Sequence, residues 1–180
     1  IMYEAYAPGS VAMLIECLTD NRNRAVSDVR VAVTRNGATM ADGGSVQRLF
    51  ERKGVVTVSK TFEVTEGRKT TTHEVDEDQL MEATLEAEPE DIVDLGEAFE
   101  IICDPNAIVD VRKAIQAADI DYDSAEVEFR AGFAQPVELE DARKIAKITE
   151  LLEDLDDVQN VYTNADITPE LAAALEEDED

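Results

Sequence analysis

The residue types best able to do chemistry gather in one place, Asp20-Asn21-Arg22-Asn23-Arg24. Arginine forks match phosphate oxygens, and asparagine can reach base or sugar groups. The run opens a segment in which Val26, Val29 and Val33 recur at i, i+3 and i+7, a helical spacing. At 3.6 residues per turn, Arg24 and Arg35 fall about 20° apart around that helix. The valines point the opposite way. Arg24 and Arg35 are therefore expected on one solvent face, with Arg22 and Asn23 crowding its N-terminal end and Arg52 and Lys53 as further contact candidates. A helix N-terminus adds a local preference for an anion. The competing reading is ordinary capping, with Arg24 paired to Asp28 four residues on.

Other reactive groups are sparse. The one histidine, His73, lies in a Thr-rich polar stretch, far in sequence from either cysteine. Cys17 and Cys103 each sit in an apolar segment and read as buried thiols of a reducing compartment rather than as a disulfide or a nucleophile. There is no Gly-rich phosphate loop, no Cys/His cluster with metal spacing and no nucleophile elbow. The carboxylates lie on helix faces such as Glu138, Glu140 and Asp141, or in runs such as Glu86 to Asp91, and read as solvated surface. The chain is therefore not expected to be an enzyme or to hold a cofactor or metal, and no small-molecule substrate is implied.

Charge is unevenly spread. Residues 1–60 carry eight Lys and Arg against six Asp and Glu, and residues 61–180 carry eight against 36, for a net charge of −26. An acidic body with a basic, Asn-rich edge points to an anionic partner met on one face. The expected partner is nucleic acid, either DNA or rRNA on the ribosome. Apolar residues make up 44% of the chain and Trp is absent, so the core must be built from Val, Ile, Leu and Ala. No apolar run approaches the ~20 residues that span a bilayer, and no secretory pattern is visible. A cytoplasmic protein without membrane contact is expected. A chain that opens on Ile1 in strand-like sequence is also expected to have lost an N-terminal segment.

These residues need elements to place them. Met2–Ala7 reads as a strand, Pro8-Gly9 as a turn, and Val11–Leu18 as a largely apolar, central strand. The helix with the Val face ends at Asn36-Gly37 in the manner of a left-handed cap. Ser45–Phe50 is expected as a third strand, and Glu51-Arg52-Lys53-Gly54 as a boundary. Beyond it the order is strand Val55–Ser59, helix Asp76–Ala87, strands Ile92–Leu95 and Ala98–Cys103, helix Ala107–Ala118 and strand Ala125–Phe129. That β-α-β-β-α-β order marks a ferredoxin-like module. Helix Glu138–Asp154 and strand Val158–Thr163 then supply what the opening three strands and one helix lack. The expected fold is α+β, two ferredoxin-like α/β sandwich lobes with the second inserted into the first. Residues 1–52 plus 133–166 form one lobe, 54–130 the other, and 167–180 an acidic tail whose last five residues, Glu176 to Asp180, are expected to be disordered. Phe62–Val75 falls outside this plan and is either a protruding hairpin around Glu66-Gly67 or a disordered polar loop.

The ordered set Tyr3-Glu4-Ala5-Tyr6-Ala7-Pro8-Gly9, Ile15 to Arg24, Gly44-Ser45-Val46, Phe50 to Gly54, Met81 to Ala87, Asp123 to Val127 and Leu151 to Tyr162 resembles the YebC/PmpR family over nearly the whole chain. That resemblance implies three domains: a small basic helical one, expected upstream of Ile1, and two α/β domains with the third inserted in the second. It implies a probable transcriptional regulator that binds DNA. It leaves open a ribosome-associated translation factor, as in the mitochondrial relative that activates translation of cytochrome c oxidase. A protein-interaction scaffold using the acidic lobe is a third possibility. The Phe62–Val75 stretch is longer than the short turn the family leads one to expect.

Overall fold

In a computed structural model, which describes residues 1–177, the elements run β1 (Met2–Ala7), β2 (Val11–Cys17), α1 (Arg22–Thr34), β3 (Thr39–Met40), β4 (Phe50–Ser59), β5 (Thr61–Glu66), β6 (Lys69–Glu74), α2 (Glu77–Thr84), β7 (Asp91–Asp94), β8 (Ala98–Cys103), α3 (Ile108–Ala117), β9 (Ser124–Ala131), β10 (Gln135–Pro136), α4 (Leu139–Glu153), β11 (Val158–Thr163), β12 (Ala165–Asp166) and α5 (Pro169–Glu177). The fold is α+β. It divides into two compact units, Ile1–Glu51 with the stretch from Arg130 onward, and Arg52–Phe129.

Unit 1 is built on a four-stranded sheet in the order β11-β2-β1-β3. All neighbours are antiparallel, so β2 and β3 run parallel with β1 between them. β2 is central because nearly every residue in it is apolar, and Val11 to Ile15 are fully buried. α1 and α4 pack together over this sheet, joining Val29, Val33, Ile145, Ile148 and Leu152 to Met13 and Ile15 in one core. The buried face of α1 is Ala25, Val29, Ala32 and Val33. Val29 and Val33 are buried as expected, while Val26 is only half-buried and Ala25 and Ala32 complete the face. α1 ends at Gly37, whose φ of +84° suits glycine. Gly37 N–H donates to Thr34 O at 3.4 Å and Ala38 N–H to Val33 O at 3.2 Å, the paired bonds of a Schellman ending.

Unit 2 has the order β7-β8-β4-β9, with α2 and α3 packed together and contributing Leu80, Val111 and Ile115 to a core with Val56, Val58, Phe99 and Ile101. This is the ferredoxin-like order read directly along the chain. α2 starts with a full capping box: Gln79 N–H donates to Asp76 Oδ1, and Asp76 N–H to Gln79 Oε1, both at 2.8 Å. Phe62–Val75 includes the hairpin β5–β6, in register from Thr61↔Glu74 to Glu66↔Lys69, with Gly67 at φ +64° opening its two-residue turn. Phe62 stacks on His73 across it, ring centroids 5.3 Å apart.

Three expectations need correction. Ser45–Leu49 is not a strand. It is a turn followed by one 3-10 turn, Gln47–Leu49, and the third strand of unit 1 is Thr39–Met40. The cause is Glu4, a buried carboxylate on β1 that accepts from the backbone N–H groups of Gly44 at 2.6 Å, Val46 at 2.8 Å and Gln47 at 2.7 Å. Backbone donors used that way cannot join a ladder. Second, the units do divide within Glu51-Arg52-Lys53-Gly54, but the segment is already strand: β4 starts at Phe50 rather than at Val55. Gly54 sits there because a Cβ would lie 2.8 Å from Cys103 Sγ and 3.0 Å from Ile108 Cβ. Third, Glu176 and Glu177 are not disordered: they close a helix from Pro169 to Glu177 that packs on α4 and is begun by Leu171 N–H donating to Thr168 Oγ1 at 3.3 Å. Residues 178–180 of that tail lie outside the described residues.

Candidate nucleic-acid interface

The Asn-rich run has a local reason to fold as it does. Asn21 is the N-cap of α1, its Oδ1 accepting from Arg24 N–H at 3.1 Å. Thr19 Oγ1 in turn accepts from Asn21 N–H at 3.0 Å. Arg22, Asn23 and Arg24 form the first turn and are exposed. Arg35 is the C-cap at the far end, also exposed, about 16 Å along the axis from Arg24 at 1.5 Å per residue. Arg52 is exposed and Lys53 half-buried; both fall in unit 2, so α1 does not carry the whole expected set. Lys53 Nζ donates to Glu90, 2.7 Å from Oε2.

Arg24 is engaged differently from both sequence readings. Its Nε donates to Asp157 Oδ2 at 3.1 Å and its Nη2 to Asp157 Oδ1 at 2.9 Å, a bidentate fork. Nη2 also reaches Asp20 Oδ1 at 3.1 Å. The carboxylates on the guanidinium are thus Asp20 and Asp157, not Asp28. Asp157 lies in the turn between α4 and β11, so the fork ties the start of α1 to the second stretch of unit 1. The hydrogen bond from Arg24, then its charge, hold the Asp157 carboxyl below the usual carboxylate range, and Arg24 is raised further by the same bond. Arg24, Asp28, Asp154, Leu155, Asp156 and Asp157 line one shallow cleft. Four carboxylates there oppose an anion, whatever Arg24 offers it.

Glu4 was missed in the sequence as a chemically important residue. Its carboxyl lies below the ordinary range: burial pushes it up, and the bonds from Gln47, Gly44 and Val46 outweigh that. The signal available was one acid inside an apolar strand together with Gly43-Gly44 forty residues on. Both cysteines are buried and free, and burial raises both thiols, against any nucleophilic role. Among the described residues no group of three or more His, Cys, Asp or Glu is placed to hold a metal ion. No described helix is long and apolar enough to cross a membrane.

Residues 1–165 match the family model described as TACO1/YebC second and third domain. A "probable transcriptional regulatory protein" of Cutibacterium acnes is 77% identical over 99% of this chain and 68% of its own length. A protein of the same name from Mycobacterium tuberculosis is 54% identical over 99% of this chain and 66% of its own. The chain thus spans about two thirds of the length of these relatives. The crystal structure of a conserved hypothetical protein from Aquifex aeolicus superimposes with a TM-score of 0.77 at 32% identity, covering 92% of this chain and 64% of that one. The split strand order, the Glu4-bound loop and the fork at Arg24 are therefore features of a chain that belongs to the TACO1/YebC family.

Proposed function

We propose that this chain is the two-lobed part of a nucleic-acid-binding regulatory protein, a cytoplasmic transcriptional regulator that contacts DNA and performs no catalytic step. The observation that carries the reading is the name shared by relatives 77% and 54% identical across nearly the whole chain. The exposed Arg22, Asn23 and Arg35 on α1 supply phosphate contacts, with Arg52 and Lys53 as further candidates. Arg24 acts through Asp157, fixing where the first turn of α1 sits. Unit 2 holds seven Lys and Arg against 21 Asp and Glu, and the rest of the chain nine against 21. Both units repel a polyanion, so these contacts set position and add little bulk affinity.

The test is a salt titration of this chain and of the longer C. acnes relative against a DNA duplex and an rRNA fragment of equal charge. The reading expects the longer relative to bind the duplex more tightly than the rRNA, and this chain to bind either weakly. Preference for the rRNA would replace DNA by the ribosome as the target. Failure of the longer relative to bind either would remove nucleic acid from the function.

A further inference from the structure

Unit 2 carries a second feature that nucleic-acid contact does not use. α2, the 3-10 turn Leu85–Ala87 and β7 border an open cleft of about 490 Å³. Its apolar lining is Met81, Leu85, Pro89 and Ile92. Met81 is 53% exposed and Leu85 72% exposed, so two large apolar side chains four residues apart face water together. Glu77 and Glu88 stand on the rim. Glu88 holds φ +52°, a left-handed conformation unusual for a residue other than glycine, and its N–H closes the 3-10 turn on Leu85 O at 3.3 Å. From Asp76 to Asp94 the sequence has nine Asp and Glu and no Lys or Arg. One of them, Glu90, is bound by Lys53; the surrounding field stays strongly negative.

We propose that this cleft docks a basic protein segment: one or two large apolar side chains seated on Met81, Leu85 and Ile92, flanked by Lys or Arg that meet Glu77 and Glu88. Charge decides the occupant. Nucleic acid is repelled by this rim. A second copy of the chain meeting the cleft with its own would set acid against acid, which costs several kcal/mol. An apolar centre inside a charged rim is the arrangement of a protein–protein contact, in which a few central side chains carry most of the affinity.

The test uses the 180-residue chain and a fluorescein-labelled amphipathic 14-residue peptide of Lys and Leu, with a peptide in which Glu replaces every Lys as its control. Saturable binding of the Lys/Leu peptide is expected, with backbone amide shifts concentrated at residues 77–92. Met81→Ser/Leu85→Ser should weaken it at least about tenfold while the thermal midpoint stays unchanged, both side chains being exposed. Glu77→Lys/Glu88→Lys, which leaves the apolar lining intact, should weaken it independently. The Glu/Leu peptide should not saturate. Equal affinity for the wild type and the Ser variant would overturn the proposal, since attraction to an acidic chain at large would then explain binding. So would shifts centred elsewhere, or self-association of the wild type that the Ser variant abolishes.

Discussion

The two units reach the same spatial strand order by different routes. Unit 2 reads as one uninterrupted β-α-β-β-α-β stretch, and its order β7-β8-β4-β9 follows from two crossovers. In unit 1, β1 precedes the β2-α1-β3 crossover yet lies between its two parallel strands, and β11 arrives only after all of unit 2 has intervened. A unit closed from two distant stretches must overcome more loop entropy before its contacts form. It carries corresponding polar ties across the gap. Asn164 Oδ1 accepts from Ala12 N–H at 2.8 Å, and Asn164 N–H donates to Ala12 O at 3.2 Å. Arg24 forks onto Asp157. Within the first stretch, Glu4 also gathers the 44–47 turn. Unit 2 is one continuous stretch and needs no tie between separate stretches; it uses the capping box on α2, a hairpin, and a close approach of β4 to β8 and α3 at Gly54.

The sharpest way to break this comparison is at Glu4. Glu4→Ala strands three N–H groups around a buried site and should cost unit 1 about 3 kcal/mol, since bonds to charged groups contribute roughly 1.5–3 kcal/mol each and the loop will partly relax. Hydrogen exchange of β2 amides should speed up, while that of β8 amides holds. Equal acceleration in both strands would mean the units unfold as one, and the distinction drawn between them would fall. The matching change in unit 2 is Gly54→Ala, which overpacks against Cys103 and Ile108 and should cost about 1–3 kcal/mol. It should speed exchange in β8 and spare β2. Gly132→Ala, where an added Cβ meets nothing within 4 Å, is the neutral control.

Acid should separate the units less sharply. The Glu4 carboxyl is lowered in the folded state, so its contribution is fully present above the unfolded value of about 4.3 and is lost as pH falls through the lower folded value. Asp157 acts in the same direction in unit 1, and Asp94, bound by Lys60, in unit 2. Denaturation followed from pH 7 down to about 3 should therefore weaken unit 1 more than unit 2, and Glu4→Gln should flatten the difference. An unchanged pH dependence in Glu4→Gln would assign the acid response to the ion pairs alone.

Much of the architecture could be read from periodicity. Strands Ala98–Cys103 and Val158–Thr163 have the bounds the pattern gave, and helices α3 and α4 differ from it only at their ends. Errors fell where a distant side chain overrides local pattern. Nothing within Ser45–Phe50 announces that Glu4 will take its N–H groups. Nothing in Ala25 to Val33 reveals that Ala25 and Ala32 are buried while Val26 is only half-buried. The candidate interface suffered in the same way. Arginine type and helical spacing place Arg22, Arg24 and Arg35 on α1, but the carboxylate that takes both arms of the Arg24 fork, Asp157, lies 133 residues on.

The smallest expected effect concerns those arginines, and it tests whether the polar ties of unit 1 serve binding or only the fold. Each phosphate contact contributes about 0.9 to the slope of log affinity against log salt on duplex DNA. If Arg22 and Arg35 touch phosphate, Arg22→Ala and Arg35→Ala in the longer C. acnes relative, at the equivalent positions, should each lower the slope by about that amount. Arg24→Ala should behave otherwise. Its charge is already shared with Asp157 and Asp20, so the slope should hold while affinity falls, because the change leaves Asp157 as an uncompensated carboxylate beside the first turn of α1. Arg24→Ala with Asp157→Asn removes that carboxylate and should recover most of the lost affinity. A slope that falls for Arg24→Ala as much as for Arg22→Ala, with no recovery in the double variant, would mean that the fork opens on binding and that Arg24 meets phosphate itself.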